Sequence, residues 1–520
     1  MLVKVNTSAV YGLRAMSVFL EINTMPARPM QEGPLFYMVG LPDKAVRESW
    51  TRVEGALLNS GFKPSRQVRY TVNFAPADVR KEGSGYDLPL AVGILATLGE
   101  VPAARLGRFV FAGELGLDGS LRPVKGALSV AIEARAEGYE GLIVPRVNVR
   151  EAAVVDRLKV YGADSLAQVV RFLKGDGEAL QPTVVHTREE FYAAQTEGLP
   201  DFADVKGQEG VKRAFEVAAA GGHNILLIGS PGCGKSMMAK RVSSILPRLT
   251  LAESLETTQI HSVAGKLGAQ TSLVAQRPFR APHHTISDVA LIGGGTQCKP
   301  GEISLAHNGI LFLDELPEFS RTALETLRQP LEDRQITISR AKYTITLPCS
   351  FMLVASMNPC PCGYYNHPTH KCKCTPRQIQ SYIGKISGPL LDRIDIQIEV
   401  TPVSVEDLAS APAGESSAAM RERVVRARQV QTERYKDCPG IHCNAQMTRQ
   451  LLERHAALDD DGRRVLAQAM KRLDLSARAY DRILKVSRTL ADLDGAEHIG
   501  RAHLVEAIGY RNLDRAGWGE

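Results

Sequence analysis

The sequence predicts an α/β fold: a parallel-sheet core with a helical tail, preceded by a separate α+β domain. Three observations carry the prediction. The apolar run Asn224-Ile225-Leu226-Leu227-Ile228 leads into a glycine-rich turn and then an amphipathic helix. Two more buried-strand patterns follow, Ile310 to Leu313 and Phe351 to Ser356, as in a sheet covered on both faces. Ahead of them, residues 1–175 alternate short β-branched runs with Ala-rich helical stretches.

Composition bounds the answer. At ~150 residues per domain, 520 residues imply two to four domains. A hydrophobic fraction of 44% with 23% charged residues excludes a mostly disordered or fibrous chain. No stretch reaches the ~18 uninterrupted apolar residues of a membrane span, so no membrane partner is expected. Met1-Leu2-Val3-Lys4-Val5 lacks the basic-then-apolar layout of a secretory signal. The nine cysteines all fall at or after Cys233, unlike a secreted disulfide framework, so a reducing cytoplasm is expected. Net charge is +6, too mild to establish nucleic-acid binding and compatible with a locally basic groove.

In chain order, the first domain (1–175) takes strands at Val68 to Asn73, Phe109 to Ala112 and Leu142 to Val144, and helices at 87–99 and 127–138. Residues 176–200 mix charge, Gly and Pro without a period, which reads as a linker with room for one short helix. The core spans 201–400. In 401–520, a small-residue tract from Ala409 to Ala419 precedes helical periodicity to the end. No repeat of 20–50 residues is present.

Gly229-Ser230-Pro231-Gly232-Cys233-Gly234-Lys235-Ser236 fits G-x-x-x-x-G-K-[ST] in full. Glycines let successive backbone N–H groups turn inward around phosphates, and the helix behind offers its positive end. Lys235 would reach the β- and γ-phosphates of ATP, and the Ser236 hydroxyl would bind Mg²⁺. Met238, Val242, Ile245 and Leu246 mark the buried face of that helix, and Pro247 ends it. The strand Ile310 to Leu313 delivers Asp314 and Glu315 to the same sheet edge. Asp314 would hold Mg²⁺ through water, and Glu315 would orient or activate the attacking water. The third strand delivers Asn358, a polar amide able to sense the γ-phosphate.

Together these motifs resemble the AAA+ ATPases of the magnesium-chelatase-like branch. The residues that carry the likeness are Asp201-Phe202-Ala203-Asp204-Val205-Lys206-Gly207-Gln208, Arg280-Ala281-Pro282-His283-His284-Thr285, Leu311 to Glu315, Met357 to Gly363, and Leu391-Asp392-Arg393-Ile394-Asp395. Within that branch the whole chain is similar to the ComM/YifB family. The resemblance implies a hexameric ring motor with a C-terminal helical lid, acting on single-stranded or branched DNA as a branch-migration helicase in natural transformation. It also implies that Asn358 is sensor 1, that Arg393 is an arginine finger acting on a neighbouring subunit's ATP, and that Arg478 is the lid's sensor-2 arginine, with Arg482 and Arg488 as rivals. A protein-remodelling motor of the chelatase kind is the alternative.

Residues Gln335 to Leu347 alternate polar and apolar on both sides of Ser339-Arg340-Ala341-Lys342, a β-hairpin with a basic tip. In the chelatase and MCM-helicase branches a similar hairpin points into the ring pore, which would let Arg340 and Lys342 grip a phosphate backbone. Arg421 to Lys436 holds six basic residues against two acidic ones, read as a solvated helical face or a DNA contact. Cys360, Cys362, Cys372 and Cys374 form C-x-C-x₉-C-x-C, able to close a structural Zn²⁺ site, with His367 and His370 as substitutes for one thiolate. Reduced cysteines without metal are the competing reading.

The first domain is similar to the Lon protease domain at Lys81 to Pro89 and Ala112 to Gly126. Lon chemistry needs a serine activated by a lysine. Here Gly85 takes the nucleophile's register beside Ser84, Val130 stands where the lysine belongs, and Lys125 lies five residues too early. A scaffold without peptidase activity is expected.

Overall fold

The computed structural model describes residues 1–26, 36–65, 68–195, 198–295, 299–340, 343–403, 414–473 and 475–511. They form two compact units. The first joins Met1–Ala194 to Thr250–Ala275 and Gly295–Pro300, and the second holds Gln195–Leu249, Gln276–Gly294 and Gly301–Glu520. Two pieces of the stretch read as the core thus belong to the first unit. So does the helix Thr187–Ala194, in the stretch read as a linker.

The first unit is built on a seven-stranded sheet. Its order is Phe36–Val39, Val68–Ala75, Arg14–Pro26, Leu2–Tyr11, Phe109–Phe111, Gly141–Pro145 and Lys159–Ala163. The two N-terminal strands pair antiparallel from Leu2↔Asn23 to Tyr11↔Arg14, so Val18, Leu20 and Ile22 all face inward and are buried. Helix Asp87–Thr97 is apolar nearly all round and buried from Asp87 to Ala96, as a helix inside a core must be. Its one acid, Asp87, is forked by Arg52 (Nε to Oδ2 2.7 Å, Nη2 to Oδ1 2.9 Å) and accepts the Leu115 N–H at 3.2 Å.

The second unit carries a five-stranded parallel sheet in the order Phe279–Arg280, Ile310–Leu313, Met352–Met357, Ile225–Gly229 and Ile396–Val400. Register decides what the sheet presents. Leu313 pairs with Ala355 and Ile228 with Met357, so the residues that follow these strands emerge side by side at one carboxyl edge. The three strands are buried throughout, which is why they read as continuous apolar runs. Helices Ser417–Arg434, Arg449–His455, Asp460–Arg472, Ala477–Leu493 and Arg501–Gly509 complete the unit. No helix among the described residues is long and apolar enough to cross a membrane.

The basic run from Arg421 is divided between the unit and solvent, with Arg426 and Lys436 exposed. Met420, Val424, Ala427 and Gln431 bury one face of its helix, and four of its arginines reach back to the unit. Arg421 donates to the Ser244 carbonyl at 3.1 Å, Arg428 to the Ala219 carbonyl, and Arg423 pairs with Glu216 and Glu415. Arg434 clasps Asp492. These long side chains tie the helix down by charge-assisted hydrogen bonds.

Candidate functional site

Helix Lys235–Ile245 starts at Gly234, whose φ of +89° is a left-handed turn that favours glycine. That turn aims the Lys235 side chain back over the loop. Its Nζ donates to the Gly229 carbonyl (2.6 Å), the Ser230 carbonyl (3.0 Å) and Asn358 Oδ1 (3.2 Å). Burial pulls the Lys235 pKa down, and the nearby Cys233 thiol and the carboxylates of Asp314 and Glu315 oppose the fall. The Cys233 thiol is pushed up by the same burial.

Ser236 Oγ donates to Asp314 Oδ2 at 2.7 Å, while Asp314 Oδ1 accepts from Ser356 Oγ. Glu315 is bent into the left-handed region at φ +54°, a strained position for a side-chain-bearing residue. Its N–H is held near Asp314 Oδ1 (3.2 Å) and Ser356 Oγ (3.4 Å). Its side chain, 54% exposed, has His284 Nδ1 at 3.4 Å. Glu315 and Asn358 line a cavity of about 600 Å³ that Pro361, Arg377, Tyr382 and Lys385 also wall.

A triphosphate with Mg²⁺ suits this donor set. Among the described residues the buried ammonium hydrogen-bonds three neutral oxygens and the Cys233 sulfur (3.8 Å), and Ser230 Oγ is buried with no hydrogen-bond partner. A hydroxyl and a carboxylate stand in contact at Ser236 and Asp314, the hard oxygen pair that Mg²⁺ takes.

Lys235, Ser236, Asp314, Glu315 and Asn358 therefore meet at one sheet edge. The arginines do not join them. Arg393 pairs with Glu332 and donates to the Pro389 carbonyl at 2.7 Å. Arg478 is 62% exposed and lies 3.6 Å from Asp392. Arg482 donates to the buried Asp395 at 3.0 Å. Arg488 is consumed by Asp492 and by the carbonyls of Glu497 and Ala496 (2.7 and 2.6 Å), where it closes the end of its own helix.

The hairpin forms as read. Gln335–Arg340 pairs antiparallel with Tyr343–Pro348, with Ile336, Ile338, Ile345 and Leu347 buried. Arg340 ends the first strand, and Lys342 lies outside the described residues.

Cys360, Cys362, Cys372 and Cys374 gather with their ligand atoms all within 4.8 Å of one another. The sulfur separations are 3.4 Å (Cys360 to Cys362), 3.7 Å (Cys360 to Cys372) and 3.6 Å (Cys362 to Cys372). Burial opposes ionisation of Cys362, yet the backbone N–H groups of Lys373 and Tyr364 bring its thiol down to about 6. The two histidines are not part of that cluster, and His367 Nδ1 accepts the N–H groups of Thr369 (3.2 Å) and His370 (3.0 Å). In the first unit, Ser84 Oγ donates to the Glu114 carboxylate, an acceptor that offers a serine no general base of the lysine kind.

Sequence reasoning missed three members of the site. Ser356 was detectable as the one hydroxyl in the otherwise apolar run of its strand. His284 stood in a quoted motif with no role attached. Tyr382 reaches the cavity from helix Pro376–Ile383, and burial pushes its hydroxyl up to about 12 despite a contact with the Asn358 backbone; no local pattern marks it.

Residues 201–408 match the family described as magnesium chelatase, subunit ChlI. Residues 28–148 match subunit ChlI of Mg-chelatase, and 414–511 match the C-terminal part of that subunit. The chain is 44% identical to competence protein ComM of Haemophilus influenzae over 97% of both chains. It is 42% identical to YifB of Escherichia coli over 98% of this chain and 97% of that one. Lon protease 2 of Bacillus subtilis is 29% identical over 28% of this chain and 27% of its own. The protein belongs to the ComM/YifB family of magnesium-chelatase-like AAA+ ATPases.

Proposed function

We propose that this protein is an ATP-hydrolysing ring motor that moves on DNA, as a helicase or branch-migration factor serving natural transformation and recombination. The observation that carries it is the meeting of Lys235, Ser236, Asp314, Glu315 and Asn358 at one sheet edge, with a basic-tipped hairpin inserted just before the Asn358 strand. Lys235 and the loop Gly229 to Ser236 hold the phosphates. Ser236 and Asp314 hold Mg²⁺, which when bound neutralises phosphate charge. Glu315 orients the attacking water, and Asn358 aligns that water with the γ-phosphoryl. Arg393 completes the site from a neighbouring subunit, so assembly, as a hexamer, is part of catalysis. Arg478 serves as the lid arginine. Arg340 and Lys342 grip a single strand by its phosphates. The four thiolates hold one structural Zn²⁺. The first domain contributes no peptidase activity, and the protein works in the cytoplasm.

The name of the Haemophilus relative, a competence protein, supports a DNA substrate. The test is steady-state ATP hydrolysis with and without single-stranded and forked DNA, at low and high salt. Strong stimulation that salt suppresses is the expected result. A flat response from assembled, active protein would instead favour a motor that remodels a protein partner, the work suggested by the chelatase family match.

A further inference from the structure

We propose that the four-cysteine knuckle, loaded with Zn²⁺, is a strut that fixes the phosphate loop, so that nucleotide affinity depends on a metal bound outside the nucleotide pocket. This rests on the phosphate-loop and Zn²⁺ readings above and says what the metal does there.

The sulfurs are spaced for a metal. Four thiolates at ~2.3 Å from a tetrahedral Zn²⁺ lie ~3.8 Å apart. The separations of 3.4, 3.7 and 3.6 Å sit near that value and far from the ~2.05 Å of a disulfide. Soft thiolates in a closed tetrahedral set select Zn²⁺ over Mg²⁺. The Cys374 N–H also points at Cys372 Sγ at 3.4 Å, a contact that orients a ligating sulfur.

The knuckle touches the phosphate loop at two points. On one side, Asn358 stands two residues before Cys360 and accepts from Lys235. On the other, Gly363 directly follows Cys362, at φ +83°, with its N–H on the Cys360 carbonyl at 2.9 Å. A Cβ at Gly363 would lie 2.6 Å from Pro231 Cδ and 2.9 Å from Pro231 Cγ, so the knuckle backbone is pressed against the loop with no room between them. Pro361, between the first two thiolates, walls the cavity of Glu315 and Asn358.

From Cys360 to Cys374 the chain has turns but neither helix nor strand. Apart from the ring contacts of Tyr364, His367 and His370 and the turn hydrogen bonds at His367, it is the sulfur cluster that ties the two ends of the segment together, and cross-linking them removes entropy they would otherwise keep. Without metal, the support behind Pro231 and Asn358 loosens, and the loop must be ordered at the expense of phosphate binding.

The experiment measures zinc per chain and the Kd of a fluorescent ADP analogue in Mg²⁺ buffer with reductant. Both are read before and after a zinc-selective chelator, and again after Zn²⁺ is returned. The expected result is about one zinc per chain, a ~10-fold or larger rise in Kd on chelation, and recovery on return. Two variants guard against simple unfolding. Cys372→Ser with Cys374→Ser, which leaves Asn358 to Gly363 unchanged, should lose zinc and show the same weakened binding. Gly363→Ala should keep its zinc yet bind the nucleotide more weakly, because its methyl displaces Pro231. Zinc lost with Kd unchanged sinks the strut and leaves both underlying readings standing. Reduced protein that takes up no zinc sinks the strut together with the metal reading. Zinc-loaded protein that binds no nucleotide overturns it through the phosphate-loop reading.

Discussion

Arg393 is held by Glu332 of its own chain, in a charge-assisted pair made across 61 residues. One nitrogen, Nη1, donates to Pro389, while Nε is buried with no hydrogen-bond partner among the described residues. Glu332 is 61% exposed, so little desolvated charge is stranded if the guanidinium leaves it. If Arg393 is the finger proposed above, the exposed Glu332 is a partner it can leave for a neighbouring subunit's phosphate.

Arg393→Ala is expected to lower kcat by ~10³-fold while nucleotide still binds. Mixing decides whether the residue acts between chains. Arg393→Ala subunits keep an intact phosphate loop, and Lys235→Ala subunits keep the arginine. Co-assembly should give more activity than either variant alone. A mixture as inactive as its parts would place Arg393 in its own chain's site or outside catalysis.

The second prediction concerns the strained turn at Glu315. Glu315→Gln keeps the cradle of Lys235 and Ser236 but loses the carboxylate that orients water, so it should bind ATP and hydrolyse it ~10²-fold more slowly or worse. His284→Ala removes the imidazole that stands 3.4 Å from Oε2. If the histidine serves only to position the glutamate, the change should lower kcat by ~10-fold with nucleotide Kd unchanged. Equal turnover in wild type and Glu315→Gln would mean the catalytic base lies elsewhere.

Local chemistry made the phosphate loop and its two partner strands readable from the sequence. Apolar runs of four to six residues, each followed by a polar group, can be read without knowing any neighbour. Register is different. That Leu313 would pair with Ala355, and so put Ser356 beside Asp314, depends on strand order. Capture of Thr250–Ala275 by the first unit was invisible for the same reason. The helix Leu251–Ala264 buries Ser254, Thr257, Thr258 and Ser262 beside Ile260, so no apolar stripe marks its packing face, and which core takes it is a tertiary fact. The run from Arg421 was half readable because charge composition does not say which arginines point outward; Glu216 and the Ala219 carbonyl drew in Arg423 and Arg428, while Arg426 stays exposed.

The hairpin gives the third prediction. Phosphate contacts release counterions, so affinity for a single strand falls with salt at a slope of ~0.7 per contact. Arg340→Ala with Lys342→Ala should lower DNA affinity and reduce that slope by ~1.4, with no change in sequence preference. An unchanged slope would put the DNA path elsewhere, because a structural effect of the double change would alter affinity without removing counterion release.

The last prediction follows from His223, fully buried at the foot of the phosphate-loop strand. Its Nε2 shares a 2.8 Å hydrogen bond with Thr489 Oγ1, and Nδ1 lies 3.5 Å from Asp395 Oδ2. Burial is the main cause that lowers its pKa below the usual 6.5. Asp395 pulls the other way, and Arg482 and Lys485 add to the fall. The folded protein thus keeps His223 neutral where the unfolded chain would take a proton. Stability from this group is complete above ~6.5 and is lost as pH falls from there through the lower folded value. Asp395 adds no slope in that range. Burial opposes its ionisation, yet Arg482, His223 and the Asn224 N–H hold its carboxyl well below the usual value, so its contribution fails only below ~4. Thermal melts at pH 7.5 and 5.5 should show a drop in Tm that is smaller in His223→Gln, which has nothing to protonate. Equal drops in the two proteins would mean that His223 already carries its proton in the fold, in an ion pair with Asp395.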